Sequence, residues 1–333
     1  MKKIYLIISA YNEEENIPVL LDSLEKNLQS KNIANYEMVF VNDGSSDQTL
    51  AELLKAQKVR QNIIIVNQSK NFGHEIAMTA GLNYVAEENK SGENDFAVIF
   101  MDADLQHPPE IAAEMIQLWE QGKKLILTQR TDNEDKGLRY KILGNTYYWI
   151  LNTLSDVKIP RNMPDFRLLD KKYVLWINSL NETDRMFRGM LSLVGLQNAH
   201  IIPFVAPKRN AGKSNYNFFN LYKLAIDSVI QFSVKPLRLA TFIGVLGCLF
   251  SILFLAYSIY DSWIHHEPRT GYLTLLSAVI FFCSLIIFFL GIIGEYIGRI
   301  HIEVKNRPLY FNEGHVQPIS ATILFCRTSI GFL

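Results

Sequence analysis

Residues 97–110 read Ala97-Val98-Ile99-Phe100-Met101-Asp102-Ala103-Asp104-Leu105-Gln106-His107-Pro108-Pro109-Glu110. An apolar run ends in two carboxylates two positions apart, and Pro109 is suited to the first turn of a helix. If strand geometry continues as far as Asp104, both carboxylates face the same side of the chain. Hard oxygen ligands of this kind are suited to Mg²⁺ or Mn²⁺. The segment therefore predicts a buried strand, an acidic strand end with metal-binding character, and a helix that fixes Gln106 and His107 nearby.

The same alternation of apolar runs and helical patterns extends over residues 1–129. Apolar runs at 4–8, 38–41, 63–66, 97–101 and 125–128 alternate with helical patterns at 17–28, 47–56, 75–86 and 110–119. Strands that are apolar on both faces and separated by helices predict an α/β fold with a parallel sheet covered on both sides. Ligands of such sheets bind beyond the carboxyl ends of the strands.

Polar and charged side chains follow the predicted strands at those ends. They lie in the stretches Ser9 to Glu13, Asn42 to Asp47, Asn67 to Gly73, Asp102 to Asp104, and Gln129-Arg130. Gly44 is explained by a turn and Ser46 or Asp47 by a helix cap, but neither explains Asp43. We therefore expect a ligand site here, with Asp43 accepting hydrogen bonds from a base or a ribose.

Two hydrophobic spans, residues 239–260 and 272–294, contain no charged residue. Each is long enough to cross about 30 Å of hydrocarbon, although a buried helical hairpin in a large soluble core is the alternative. Basic residues flank the pair: Lys235, Arg238, Arg299, Lys305 and Arg307. The positive-inside rule then predicts cytoplasmic flanks and an external connector. Residues 218–232 have an amphipathic pattern and either lie on the membrane surface or pack against the soluble domain.

Composition excludes several other classes of protein. The formal net charge is zero, with 33 basic and 33 acidic residues, and the chain has no basic stripe with interleaved aromatics, so nucleic acid is not expected as a partner. The three cysteines show neither metal nor disulfide spacing. The N-terminal apolar run is short and followed at once by glutamates, which favours a first strand over a signal peptide.

A basic loop lies before the amphipathic segment. Gly212-Lys213-Ser214 resembles the end of a phosphate-binding P-loop, but the glycine required five residues earlier is Pro207. We therefore reject a P-loop. Lys208, Arg209 and Lys213 either fold over phosphates or form a solvated surface loop.

Five motifs in order resemble the family 2 glycosyltransferases of the GT-A, Rossmann-like fold. They are Ser9-Ala10-Tyr11-Asn12-Glu13, Asn42-Asp43-Gly44-Ser45-Ser46-Asp47, Lys70-Asn71-Phe72-Gly73-His74, residues 102–110, and Asp165-Phe166-Arg167-Leu168. The closest resemblance is to polyisoprenyl-phosphate glycosyltransferases, a subgroup that includes bactoprenol glucosyltransferases and dolichol-phosphate mannose synthases. It covers about residues 3–310, and the stretch from Gly291 to Pro308 resembles the two-span bactoprenol type. Two departures are the displaced lysine of the basic loop, at Lys213, and the unfamiliar sequence after Tyr310.

The resemblance implies that one sugar passes from a nucleotide sugar to undecaprenyl phosphate, with inversion, at the cytoplasmic membrane face. UDP-glucose is the first expected donor, and the resemblance leaves homo-oligomerisation open. The implied nucleotide-sugar site comprises Ala10, Tyr11, Glu13, Asp43, Asp102 and Ala103. Asp104 and Gln106 are implied to hold Mg²⁺ or Mn²⁺. The implied catalytic group comprises Arg130, Arg139, Arg209 and Lys213, which gather phosphates, and Asp165, a carboxylate whose role stays open.

These expectations divide the chain into a cytoplasmic catalytic domain (1–217), an amphipathic juxtamembrane segment (218–238), a two-helix transmembrane hairpin (239–294) and a cytoplasmic tail (295–333). A processive polysaccharide synthase is the enzymatic alternative, but its Gln-x-x-Arg-Trp motif is absent from the sequence. A noncatalytic membrane scaffold is the other alternative. A scaffold has no need of Asp43, Asp102 and Asp104 together, which favours the enzyme.

Overall fold

The computed structural model describes residues 2–92, 94–131, 162–180, 182–183, 185–207, 233–265 and 271–316. The described strands are β1 (Lys3–Ala10), β2 (Tyr36–Asn42), β3 (Ile63–Gln68), β4 (Phe96–Asp102), β5 (Leu125–Arg130), β6 (Arg167–Asp170), β7 (His200–Phe204) and β8 (Asn312–Val316). The described helices are α1 (Asn16–Ser30), α2 (Thr49–Val59), α3 (His74–Glu88), α4 (Pro109–Glu120), α5 (Lys171–Asn178), α6 (Phe187–Val194), α7 (Lys235–His265) and α8 (Tyr272–Lys305). The five strands and four helices predicted between residues 4 and 128 are all present, with boundaries shifted by a few residues.

The strands form one sheet in the order β7-β5-β6-β4-β1-β2-β3-β8. β1 pairs parallel with β2 and β4, β2 with β3, and β5 with β7. β6 lies antiparallel between β4 and β5, and β8 lies antiparallel along β3. The expectation of parallel strands within residues 1–129 is confirmed for β1 to β5, and the sheet is mixed because β6 and β8, from later in the chain, run the other way. Six strands run the same way, and β6 and β8 begin where those six end.

Two apolar layers cover the sheet, as continuous apolar strands require. Along β1, Ile4, Leu6 and Ile8 join the core beneath α1, α2 and α4, whereas Tyr5 and Ile7 join the core beneath α3, α5 and α6. The alternation is the period of two that places successive strand side chains on opposite faces. Gly81 of α3 allows close packing, since a Cβ there would lie 2.4 Å from Cγ2 of Ile7.

A second compact unit of the chain contains α7 and α8. With 31 and 34 residues, these helices are about 46 and 51 Å long. Their windows Leu237–Phe254 and Ala278–Lys305 are long and apolar enough to cross a membrane, and neither is buried. Large side chains such as Phe250 and Ile287 are exposed, in contrast to the alternative of a buried hairpin. The predicted helix at 138–154 and amphipathic segment at 218–232 lie outside the described residues.

Candidate active site

The loop after β4 carries the acidic motif in a strained turn. Leu105 has a φ of 62°, a left-handed conformation that a leucine rarely adopts. This turn brings the backbone N–H of Gln106 to 3.0 Å from Oδ1 of Asp104, to which it donates. The guanidinium of Arg130, at the end of β5, donates from Nη1 to Oε1 of Gln106 over 3.4 Å. Three residues of the predicted site, Asp104, Gln106 and Arg130, are thus brought together at the carboxyl end of the sheet.

His107 holds the backbone of the strand end that carries the acidic motif. Its Nδ1 accepts a hydrogen bond from the backbone N–H of Asp102 at 2.9 Å, and its ring stacks on Phe166 with centroids 4.7 Å apart. Burial lowers the pKa of His107. The imidazole is therefore neutral with its proton on Nε2, and it fixes the strand end from which Asp102 and Asp104 project.

Asp102 belongs to a hydrogen-bonded chain that includes Ser9 and His74. The Ser9 hydroxyl donates to Oδ1 of Asp102 at 3.0 Å, so its oxygen accepts from Nδ1 of His74, also at 3.0 Å. Burial alone would raise the pKa of Asp102, but the charge of His74 and the hydrogen bond from Ser9 outweigh it and lower the pKa. Asp102 is thus an ionised carboxylate whose orientation is set by two other elements.

Asp165 lies just before β6, on the other side of His74. Its carboxylate accepts hydrogen bonds from the guanidinium groups of Arg167 and Arg188, the latter over 2.9 Å from Nη2 to Oδ2. Nε2 of His74 lies 4.0 Å from Oδ2 of Asp165. Burial alone would raise the pKa of Asp165, but Arg167 and Arg188 hold it far below the usual range. Such a carboxylate is suited to orienting cations and is a poor proton acceptor.

Glu75 and His74, the first residues of α3, titrate differently from ordinary side chains. Burial and the nearby charge of Asp165 raise the pKa of Glu75 to about 7, and its Oε2 accepts from the backbone N–H of Phe187. Burial alone would lower the pKa of His74, but Asp102 and Asp165 outweigh it and raise the pKa. His74 therefore favours its protonated form between the two aspartates.

Asp43 holds the loop after β3 against the turn after β2. Its Oδ1 accepts from the backbone N–H of Phe72 at 2.7 Å, and its Oδ2 from that of Gly73 at 3.0 Å. Gly44 has a φ of 61°, and a Cβ there would lie 2.2 Å from the carbonyl carbon of Lys70. Only glycine fits at this contact. Asp43 thus has a structural role, and its binding of a base or ribose stays a prediction.

The loop after β1 closes the same end of the sheet. Asn12 accepts from the backbone N–H of Ser46 at 2.8 Å, and the N–H of Glu13 donates to Oγ1 of Thr49 over 2.8 Å. Ala10 is buried at the end of β1, whereas Tyr11 is exposed beside it. An exposed aromatic ring at the mouth of a strand-end site is suited to stacking on a base. The prediction of Ser46 or Asp47 as the helix cap is wrong, since the N-cap of α2 is Gln48 without a side-chain cap hydrogen bond, although Asp47 accepts from the N–H of Thr49 at 3.0 Å.

The donor atoms at the end of β4 fit a hard divalent cation. Asp102 and Asp104 supply carboxylate oxygens and Gln106 an amide oxygen, with Ala103 buried between the two acids. The described part of the chain contains no group of three or more His, Cys, Asp or Glu side chains arranged to hold a metal. Mg²⁺ commonly takes one or two carboxylates and completes its shell with water and phosphate. The donor set therefore suits a cation that binds together with a phosphate ligand.

The structure also brings in residues that the sequence alone did not single out as site members. Ser9 and His74 lie within the quoted motifs and Glu75 lies next to one, so this position was the signal by which the sequence could have identified them as site residues. Arg188 lies in α6 with no local signal, because its contact with Asp165 depends on how α6 packs. Arg139, Arg209 and Lys213 lie outside the described residues, and their phosphate role stays a prediction.

Comparison with known proteins places these elements in a family. A model of glycosyl transferase family 2 matches residues 5–175, and one of the GtrB C-terminal hairpin matches residues 235–300. An SfII prophage-derived bactoprenol glucosyl transferase of Shigella flexneri is 36% identical over 309 residues, which is 92% of this chain and 96% of the relative. The bactoprenol glucosyl transferase of Shigella phage SfV is 35% identical, over 95% of this chain and 99% of the relative. Uncharacterized glycosyltransferase YkcC of Bacillus subtilis is 35% identical, over 92% and 91%.

Proposed function

The chain belongs to glycosyltransferase family 2, and we propose that it transfers one glucose from UDP-glucose to undecaprenyl phosphate at the cytoplasmic face of the membrane. The observation that carries the proposal is the 36% identity over 309 residues with a bactoprenol glucosyl transferase. That alignment spans 92% of the chain, so it cannot be confined to the sheet domain. The name of that relative supports a glucosyl donor and a polyprenyl phosphate acceptor.

The residues at the end of β4 would receive the donor diphosphate. Asp104 and Gln106 would hold Mg²⁺ or Mn²⁺, and Asp102, oriented by Ser9 and His74, would bind the ribose or a water molecule. When bound, the cation would stabilise the negative charge of the departing nucleoside diphosphate. Arg130 would hold Gln106 in place and present its guanidinium to the same phosphates.

Transfer to a lipid phosphate does not require a strong general base. The attacking oxygen is already anionic at neutral pH, so no side chain has to remove a proton from it. This oxygen would bond to the anomeric carbon as the carbon–oxygen bond to the diphosphate breaks on the opposite face, which inverts the configuration. Asp165, bound by Arg167 and Arg188, would then position cationic groups near the reacting phosphates.

Membrane attachment would bring the acceptor to the site. The exposed apolar side chains of α7 and α8 form a surface of the kind that lipid covers. Lys235 and Arg238 at the start of α7, with Arg299 and Lys305 near the end of α8, support cytoplasmic ends for both helices. The proposal therefore places the soluble donor and the lipid acceptor on the same side of the membrane.

The test uses the full chain, purified in detergent, with UDP-[¹⁴C]glucose and undecaprenyl phosphate. We expect one labelled glucose per lipid in the organic phase, and loss of that product in excess EDTA. Parallel reactions contain a soluble oligosaccharide or no acceptor, and a panel of other nucleotide sugars tests the donor. A labelled polymer would indicate a processive synthase, and the absence of both transfer and donor hydrolysis would indicate a scaffold. Efficient labelling of the soluble oligosaccharide with no labelled lipid would refute the proposed acceptor.

A further inference from the structure

The chain segment that follows α8 returns to the sheet at the carboxyl end of β3. β8 pairs antiparallel with β3, so that Asn312 lies opposite Gln68 and Val316 lies opposite Ile65. Just before β8, the carbonyl of Phe311 accepts a hydrogen bond from the backbone N–H of Ser69 at 2.9 Å. This bond fixes the first residue of the loop formed by residues 69–73.

Side chains extend this contact toward the turn that carries Asp43. Nδ2 of Asn67 donates to Oε2 of Glu313 at 3.0 Å, and Oδ1 of Asn67 accepts from Nδ2 of Asn42 at 2.7 Å. Glu313 therefore connects through one amide to the residue preceding Asp43. On α3, Nδ2 of Asn83 donates to the hydroxyl of Tyr310 at 2.9 Å.

The loop reached in this way is itself joined to the acidic cluster. The Asp43 carboxylate binds two consecutive N–H groups of the loop, and Gly44 packs directly on Lys70. The next residue is His74, which contacts Ser9 and lies near Asp165. A displacement of residues 69–73 would therefore move both the turn after β2 and the His74 side chain.

The backbone pairing alone holds this junction weakly. The β3–β8 register shifts between Asn67 and Gln68, and within the described residues neither amide atom of the buried Gln68 has a hydrogen-bond partner. Asn312, opposite Gln68, also has a buried Oδ1 without a partner there. Unpaired buried polar groups are costly, so this part of the ladder contributes little stability. The side-chain bonds of Glu313 and Tyr310 lie on either side of it.

We propose that Glu313 and Tyr310 are positioning residues for the donor nucleotide, and that the segment after α8 completes the donor site by holding residues 69–73 in place. The inference rests on the proposed function in that the bound donor is a nucleoside diphosphate sugar. Neither residue contacts the reacting atoms in this account. The effect of Glu313 reaches the donor through Asn67, Asp43 and the loop, and Tyr310 acts by holding the segment before β8 on Asn83 of α3.

Glu313→Ala is the decisive variant, because the side chain is exposed and its removal does not open a cavity. Glu313→Gln keeps an oxygen that can accept from Asn67, Tyr310→Phe removes only the hydroxyl, and Glu114→Ala on α4 is the control for loss of an exposed glutamate. The variants are prepared as full chains in detergent. Hydrogen exchange is followed over residues 66–73, and UDP affinity and the KM values for UDP-glucose and lipid are measured.

We expect faster exchange over residues 66–73 in Glu313→Ala and Tyr310→Phe, with wild-type exchange in Glu313→Gln and Glu114→Ala. The dissociation constant for UDP and the KM for donor should rise about threefold to tenfold, as expected for loss of one hydrogen bond, while kcat and the lipid KM change less. Unchanged exchange in Glu313→Ala would overturn the inference. The same holds if Glu313→Gln loses as much UDP affinity as Glu313→Ala. If exchange is faster in Glu313→Ala but neither the wild type nor any variant binds UDP, the loop contact would be supported and the proposed donor refuted.

Discussion

Asp165→Asn tests the charge balance beside the acidic cluster. In the native protein the Asp165 carboxylate is buried and accepts hydrogen bonds from Arg167 and Arg188. An asparagine has nearly the same volume but no charge, and its amide nitrogen would face one of the two guanidinium groups as a second donor. The change therefore removes the ionic partner of the buried Arg167 guanidinium, which keeps only its hydrogen bonds to the backbone carbonyls of Pro164 and Asp165.

The expected loss follows from the burial of the pair. The Arg167 side chain is only 4% exposed, and removing one partner of a buried ion pair costs about 3–5 kcal/mol. For a domain of this size that corresponds to a fall in Tm of about 10 °C. Arg188→Gln should cost less, because Arg188 is 36% exposed and Arg167 still neutralises Asp165.

The assay is thermal unfolding of the full chain in detergent, with Asp22→Asn as the matched control. Asp22 also pairs with an arginine, Arg60, but its side chain is 77% exposed, and exposed pairs contribute about 0–1 kcal/mol. Because the folded pKa of Asp165 is depressed, its stabilisation is full above the unfolded pKa of about 3.9 and is lost as pH falls below it. Asp165 also repels ionised Glu75 at pH 8 and attracts protonated His74 at pH 5, so the deficit of Asp165→Asn should be larger at pH 5 than at pH 8. A Tm within 2 °C of Asp22→Asn, taken as an order-of-magnitude threshold, would refute the reasoning.

Three further predictions concern the metal, the pH dependence and the topology. Asp104→Asn should reduce turnover by on the order of a hundredfold or more with little change in Tm, and near-normal turnover, or full activity in EDTA, would contradict a metal role. The pKa of Glu75 is raised from 4.5 to about 7, so the folded state holds a proton that the unfolded chain releases and stability falls as pH rises from 4.5 through 7. Glu75→Gln should reduce the decline in Tm between pH 5 and 8 to the part due to His74, whose pKa is also raised, and an unchanged decline would assign it to other groups. In a cysteine-free background, Trp263→Cys should react with an impermeant thiol reagent on intact cells and Glu114→Cys only after permeabilisation, whereas the reverse pattern would invert the proposed topology.

Much of the fold could be predicted because its signals are local. β1 to β5 are short apolar runs between amphipathic helices, and Pro109 marks the start of α4 as expected. β6 and β8 show the limit of local signals. A four-residue strand inserted antiparallel between β4 and β5 is defined by partners about 40 or more residues away, and β8 pairs with a strand more than 240 residues earlier.

The candidate site also contains residues that local sequence signals could identify and residues that they could not. Asp102, Asp104 and Asp43 could be identified because each lies within three residues of the end of an apolar run. Arg188 could not, since its side chain meets Asp165 only after α6 has packed against the sheet. The sequence also could not show that Asp43 uses both carboxylate oxygens to hold residues 72 and 73. A carboxylate at a strand end therefore indicates where the site lies, but its role depends on hydrogen-bond partners that only the structure shows.

The pairing of β8 with β3 also bears on solubility. An open sheet has two outer strands whose unpaired N–H and C=O groups can recruit strands from other molecules. On one side the outer strand is β7, in which Pro203 lies opposite Gln129 and has no N–H to offer. On the other side the five-residue β8 pairs with residues 65–68 of β3, of which Ile65 and Val66 are buried and aliphatic. A nonsense mutation or proteolytic cut before Asn312 would uncover that apolar strand, and the shortened protein should aggregate through β3.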